Sequence, residues 1–150
     1  MKLAVGTDER NHVVDFVLAE LKKRGYQVNY TGPQSGQNPP VSENYWPSVA
    51  RRVAQAVAGG DADEGILFCW TGTGVSLAAN KVRGIRAALC VDAETARGAR
   101  LWNNANILCL SLRLTTEATA REILTAWFGT AYQPNETDNT CLALLDEMEP

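Results

Sequence analysis

The residues with most chemistry in this sequence are consecutive: Cys69-Trp70-Thr71-Gly72-Thr73-Gly74-Val75. A thiol ends an apolar run, and two threonines interleaved with two glycines follow. Ile66 to Phe68 reads as a buried strand, and the segment from about Val75 reads as a helix packing through Leu77 and Ala78. Glycines let the backbone turn tightly and approach a ligand closely. The start of a helix points unpaired N–H groups into the same space and favours the thiolate form of a nearby cysteine. A thiol beside clustered N–H donors suits proton abstraction where negative charge develops on a substrate oxygen. An isolated strand cysteine is ordinarily a small buried hydrophobe; the Gly/Thr loop beside Cys69 favours a functional reading.

Around this segment, short apolar runs alternate with helix-periodic stretches, the pattern of βαβ units on a parallel sheet. Strands are expected at Leu3–Gly6, Tyr26–Thr31, Ile66–Phe68, Ile85–Cys90 and Ile107–Leu110. Helices are expected at Asn11–Arg24, stopped by Gly25, and at Trp46–Ala58, opened by Pro47 and closed by Gly59-Gly60. Further helices are expected from Asp92 or Ala93 to Trp102, over Thr115–Phe128 capped by Thr115 or Thr116, and over Thr140–Met148. Gly32–Asn44, rich in Pro and Gly, predicts a long loop. In such sheets ligands bind beyond the carboxyl ends of the strands. Those ends carry Thr7-Asp8-Glu9-Arg10, Cys69 to Gly74, Cys90 to Asp92, and Ser111 to Arg113.

The chain has 150 residues, 45% hydrophobic and 21% charged, with a net charge of −3. That length predicts one domain with a substantial core, residues 131–150 forming a C-terminal tail or helix. Mild acidity without a Lys/Arg run excludes a general nucleic-acid binder. No apolar stretch reaches membrane-spanning length. Met1–Gly6 reads as a strand rather than a leader. The four cysteines, Cys69, Cys90, Cys109 and Cys141, are widely spaced and the chain has one histidine, so no zinc site is expected and reduced thiols in the cytoplasm are. Cys90 and Cys109 read as core, Cys141 as surface, and His12 as exposed.

The same residues resemble the family of ribose-5-phosphate isomerase B and the galactose-6-phosphate isomerase subunits. The match is strongest over Gly65–Cys90: Gly-Ile-Leu-x-Cys-x-Thr-Gly-x-Gly, then Ala78-Ala79-Asn80-Lys81 and Gly84-Ile85-Arg86-Ala87. Weaker matches are Gly6-Thr7-Asp8, Trp46-Pro47, Ala96-Arg97, Asn103-x-Ala105-Asn106 and Arg113. The resemblance implies a doubly wound, three-layer α/β/α sandwich with a Rossmann-like five-stranded parallel sheet. It implies aldose–ketose isomerisation through an enediolate, with no metal or other cofactor, and a homodimer with active sites between subunits. It makes Cys69 the base, Thr71 a hydroxyl relay, and the backbone of Gly72, Thr73, Gly74 and Val75 the oxyanion site. Asp8 and Asn103 would bind sugar hydroxyls, and Arg113 would lie near the anionic end.

The departures are as informative. Glu9 follows Asp8 where the family has histidine, and Trp70 follows the cysteine where glycine is usual. Trp102 replaces the ring-opening histidine, and Pro134–Pro150 carries no Lys, Arg or His in place of the phosphate-gripping arginines. Trp102 and Trp70 read either as packing residues or as pocket walls; from Trp102 an aromatic face would stack on a sugar or exclude water. Trp46 reads as a hydrophobic staple or a pocket wall, and Asp8 as a helix N-cap, a ligand or both. Arg10 is the nearest replacement for a lost phosphate ligand. The expected function is isomerisation of a small sugar or sugar phosphate. An open-chain tetrose 4-phosphate would suit the missing histidine, and a free sugar the missing arginines. A non-catalytic sugar-binding homologue and an epimerase are the alternatives. Leu112, Trp127 and Phe128 are candidates for the dimer interface.

Overall fold

The computed structural model describes residues 1–35 and 42–149, so the expected Gly32–Asn44 loop lies partly outside the described residues. Five parallel strands form one sheet: β1 (Lys2–Thr7), β2 (Gln27–Thr31), β3 (Glu64–Cys69), β4 (Ala87–Leu89) and β5 (Ile107–Ser111), in the order β2-β1-β3-β5-β4. Helices α1 (His12–Lys23), α2 (Trp46–Ala58), α3 (Thr73–Ala79), α4 (Ala93–Leu101) and α5 (Glu117–Gly129) connect and cover them, and α6 (Glu136–Asp146) follows. This is the expected three-layer α/β/α arrangement.

Side-chain alternation divides the core between the two faces of the sheet. Leu3, Val5, Ile66, Phe68, Leu108 and Leu110 pack with α1, α4 and α5. Leu67, Cys69, Ile107 and Cys109 face the other way, onto Val49, Val53, Val75 and Ala79 of α2 and α3. Both faces are covered, which is why the strands read as unbroken apolar runs.

Several expected boundaries shift for local reasons. The side chain of Asn11 accepts the Val13 and Val14 N–H groups, so Asn11, not Asp8, is the cap of α1. Asp92 and Thr95 form a reciprocal capping box on α4, and Thr116 rather than Thr115 caps α5. α3 opens at Thr73, two residues before Val75, and buries Val75 and Ala79; Leu77 points to solvent, 66% exposed. β4 is shorter than the apolar run because Asn106 Oδ1 takes the Arg86 N–H just before it. α6 starts a turn earlier than expected, where Asn135 Oδ1 accepts the Asp138 N–H.

Trp127 and Leu112 are not interface residues. Trp127 is fully buried, and its indole N–H donates to Glu64 Oε2 at 2.6 Å. Arg100 closes the cluster: its guanidinium lies 2.7 Å from Glu64 Oε1 and 5.1 Å from the Trp127 ring. Burial pushes the Glu64 carboxyl up, against the opposing pull of Arg100 and the Trp127 N–H. Leu112 is 5% exposed in the same core, and Phe128 packs against it. No helix among the described residues is long and apolar enough to cross a membrane. His12 and Cys141 are exposed, while Cys90 and Cys109 are buried, as expected.

Candidate active site

Cys69 is the last residue of β3, on the α2/α3 face of the sheet and 5% exposed. Its carbonyl accepts the Gly72 N–H at 3.2 Å and the Leu112 N–H at 3.0 Å. The next carbonyl, of Trp70, accepts the Arg113 N–H and the Ser111 hydroxyl, each at 3.0 Å. The turn after β3 is thus stitched to the turn after β5. Ser111, 2% exposed, also accepts the Leu114 N–H. Sequence reasoning placed Ser111 at a strand end and gave it no task; a buried hydroxyl closing an apolar strand was the available signal.

Gly72 occupies the left-handed region at φ 76 and is the N-cap of α3, with no side chain capping the helix. Its N–H is held by Cys69, so its part in the turn is conformational. The amides of Thr73, Gly74 and Val75 have no acceptor inside the helix, because the first turn never does. These three donors open α3 directly after the thiol. Thr71 and Thr73 lie on the exposed side of the turn, their hydroxyls 2.7 Å apart. A proton can pass between such oxygens.

Trp46, first residue of α2, presses on this turn. A Cβ at position 74 would meet its ring carbons at 3.1 Å. A larger residue at 74 would have to displace the tryptophan ring by a few tenths of an ångström; the ring walls the turn and remains 41% exposed. Trp70, within the turn, is exposed.

Asp8 completes the cluster from β1. Thr7, the last residue of β1, pairs with Phe68 of β3, and Asp8 follows Thr7 as Cys69 follows Phe68. Asp8 Oδ1 is buried without a hydrogen-bond partner, the one such side-chain atom among the described residues. Burial, aided by the Glu9 charge, pushes its carboxyl above the ordinary range, although backbone N–H groups partly offset this. A buried acceptor without a donor costs about 1–3 kcal/mol, which a ligand hydroxyl would recover. Arg113 lies on the opposite flank, exposed, at the end of β5. Cys90 is unsuited to the same chemistry: burial pushes its thiol up to about 12, with Asp92 adding to the effect.

Asp8, Cys69, Thr71, Gly72, Thr73, Gly74, Val75 and Arg113 thus gather at the carboxyl ends of the strands. Trp102 and Asn103 do not. They follow α4, which runs back from the end of β4, and so lie at the amino end of the sheet. Trp102 folds onto its own helix: a Cβ at Gly98 would meet its ring at 2.7 Å, and Arg97 lies 5.6 Å from it. Both line a groove of about 810 Å³ on the β4 edge, with Ile85, Leu89, Leu145 and Met148. Cys69 is not part of that groove.

The chain as a whole has relatives among known proteins. The family described as Ribose/Galactose Isomerase matches residues 3–143. Ribose-5-phosphate isomerase B of Escherichia coli is 38% identical over 133 residues, covering 88% of this chain and 86% of that protein. D-erythrulose-4-phosphate isomerase of Pectobacterium atrosepticum is 35% identical over 139 residues, covering 89% and 86%. The solved structure of Clostridium thermocellum ribose-5-phosphate isomerase B superposes with a TM-score of 0.88 at 36% identity, covering 99% of this chain and 97% of that one. Strand order, the thiol-bearing turn and these matches lead to one conclusion: the chain belongs to the Ribose/Galactose Isomerase family.

Proposed function

We propose that this chain interconverts the aldose and ketose forms of a short sugar phosphate through an enediolate. The observation that carries this is the convergence of Cys69, the orphaned Asp8 oxygen and three unpaired amides at one end of the sheet. Cys69, as thiolate, takes a proton from the carbon beside the substrate carbonyl. The C–H electron pair becomes the C1–C2 double bond, and the carbonyl oxygen takes up negative charge. The amides of Thr73, Gly74 and Val75 are donors for that oxygen; fixed donors of this kind stabilise a developing oxyanion far better than mobile water. Return of the carbon-bound proton from Cys69 to the neighbouring carbon, with transfer of the hydroxyl proton between the two oxygens, completes the exchange. Thr71, bonded to Thr73, is the relay for the second transfer. No step calls for a metal.

The substrate we favour is a tetrose 4-phosphate. Its O4 is esterified, so no furanose ring forms and no ring-opening histidine is needed, in keeping with Trp102. The family includes D-erythrulose-4-phosphate isomerases. The test is a panel of C4, C5 and C6 aldose and ketose phosphates with their free sugars. Tetrose phosphate is expected to lead by about tenfold or more in kcat/KM. Turnover of no panel member would leave the non-catalytic homologue, and C2 inversion without carbonyl migration would make the chain an epimerase.

The site we propose is shared between two copies. Trp102 and Asn103 lie at the far end of the sheet from Cys69 of their own chain, so in this reading they serve the site of a second copy. Sedimentation at micromolar concentration is expected to give twice the chain mass of 16.3 kDa. A monomer would contradict the shared site.

A further inference from the structure

Resting on the proposed role of Asn103 as a sugar ligand in a shared site, we propose that Arg86 is a positioning residue. It holds the turn between α4 and β5 in a left-handed conformation and so fixes how Asn103 is presented to substrate. The starting observation is backbone strain. Asn104 has φ 45 and is the one non-glycine residue with positive φ among the described residues. Asparagine tolerates this region better than most side chains, yet such residues persist where their surroundings over-determine them.

The surroundings of Asn104 do so. The three carbonyls that follow Asn103 are taken by donors from three different parts of the chain. Arg86 Nε donates to the Asn104 carbonyl at 2.9 Å, an Nη of Arg100 to that of Ala105 at 2.5 Å, and the Gly65 N–H to that of Asn106 at 2.9 Å. The Ala105 N–H reaches back across the turn to the Ala99 carbonyl, and the Asn106 N–H to the Arg86 carbonyl, each at 3.0 Å. On the near side, the Trp102 N–H closes α4 on the Gly98 carbonyl at 2.9 Å. Asn103 is the exposed residue left between these pinned ends.

A turn that only joined α4 to β5 would need no such clamp with glycine at 104. Glycine takes the other positive-φ positions among the described residues, Gly72 and Gly84 included. Position 104 instead combines a strained residue with an arginine that holds it. Two arginines share the clamp, and they differ in their other commitments. Arg100 also pairs with Glu64 beside Trp127, so its loss would leave a carboxylate unpaired in the core. Arg86 makes no ion pair among the described residues. Its backbone N–H and carbonyl hold Asn106 whatever its side chain. Removing the Arg86 side chain therefore takes away the bond to Asn104 and lets that residue relax toward the right-handed region, which reorients Asn103 against β5.

The experiment is a double-mutant cycle on turnover of tetrose 4-phosphate, with amide hydrogen exchange beside it. Arg86→Met keeps an unbranched stem and loses the donor. It is expected to raise KM about fivefold or more, with kcat changed less than about threefold. Arg86→Met combined with Asn103→Ala is expected to be no worse than Asn103→Ala alone, because both act through one contact. Asn104→Gly is expected to stay near wild type and, added to Arg86→Met, to recover most of the loss in KM, since glycine adopts positive φ without steric cost. A residue that only stabilised the fold would show no such recovery. Exchange of the Ala105 and Asn106 amides is expected to quicken in Arg86→Met. Unchanged KM in Arg86→Met, additive losses in the cycle, or no recovery by Asn104→Gly overturns the assignment. Wild-type KM in Asn103→Ala also overturns it and leaves proton transfer by Cys69 standing. In a protein that turns over no sugar phosphate, quickened exchange in Arg86→Met would uphold the clamp and refute the isomerase reading, whereas unchanged exchange would refute both.

Discussion

Cys69→Ala is expected to lower kcat by about 10²–10⁴-fold while leaving KM for sugar phosphate within a few-fold of wild type. The physical reason is the isolation of the role. In the proposed mechanism Asp8, the three amides and the threonine pair bind and polarise the substrate, and all survive this change. Only the group that accepts the carbon-bound proton is removed. The fold should tolerate it: Cys69 is buried against α2 and α3, but the loss of one sulfur leaves a cavity smaller than those of Leu→Ala changes. Cys69→Ser keeps the hydrogen-bonding character but replaces the thiol by a far weaker acid, and should be nearly as inactive. Full activity in Cys69→Ala would end the assignment of the base.

Gly72→Ala is expected to remove activity by another route, through the turn itself. At φ 76 a non-glycine residue costs about 1–2 kcal/mol. The added Cβ would lie 2.5 Å from Leu89 Cδ1 and 3.0 Å from the Leu110 carbonyl carbon, close enough to force β3, β4 and β5 apart locally. Overpacking of this kind adds about 1–3 kcal/mol. The turn can relieve that strain only by moving, which displaces the amides of Thr73, Gly74 and Val75 from the oxyanion position. Both the melting temperature and kcat should fall substantially, which separates this variant from Cys69→Ala, where kcat falls and the melting temperature changes little. A Gly72→Ala protein with wild-type stability and activity would show that the turn does not hold the geometry argued for it.

The parts of the site legible in the sequence were those close together in it. Cys69, Thr71 and the glycines form one contiguous segment, and their order alone specifies a thiol, a turn and a helix start. The limits of α2 could be read from Pro47 and Gly59, because proline opens and glycine closes a helix for reasons that need no partner. Contacts between distant segments were not legible in this way. Asp8 and Cys69 are 61 residues apart, and only the β1–β3 ladder makes them neighbours. The seating of Trp46 on Gly74, and the Ser111 hydroxyl on Trp70, depend on how two turns pack.

Trp127 shows the converse error. An aromatic near the end of a helix was a reasonable interface residue until Glu64 and Arg100 supplied a buried partner for its N–H. The early start of α6 was hidden because Asn135-Glu136-Thr137-Asp138 has loop composition, and only the capping bond of Asn135 makes it a helix start. The Arg10–Asp15–Tyr30 arrangement likewise joins a turn, a helix and a strand that the sequence alone does not bring together.

The central claim is that Cys69 moves a proton between two carbons of an open-chain sugar phosphate. Its most direct test is proton NMR of a tetrose 4-phosphate incubated in D₂O with wild type and with Cys69→Ala. With wild type, the aldose–ketose equilibrium should be reached with solvent deuterium entering the carbon-bound position at C1 or C2, and with Cys69→Ala neither change should occur. Isomerisation at the same rate in both proteins, or no isomerisation and no deuterium entry with wild type, would contradict it.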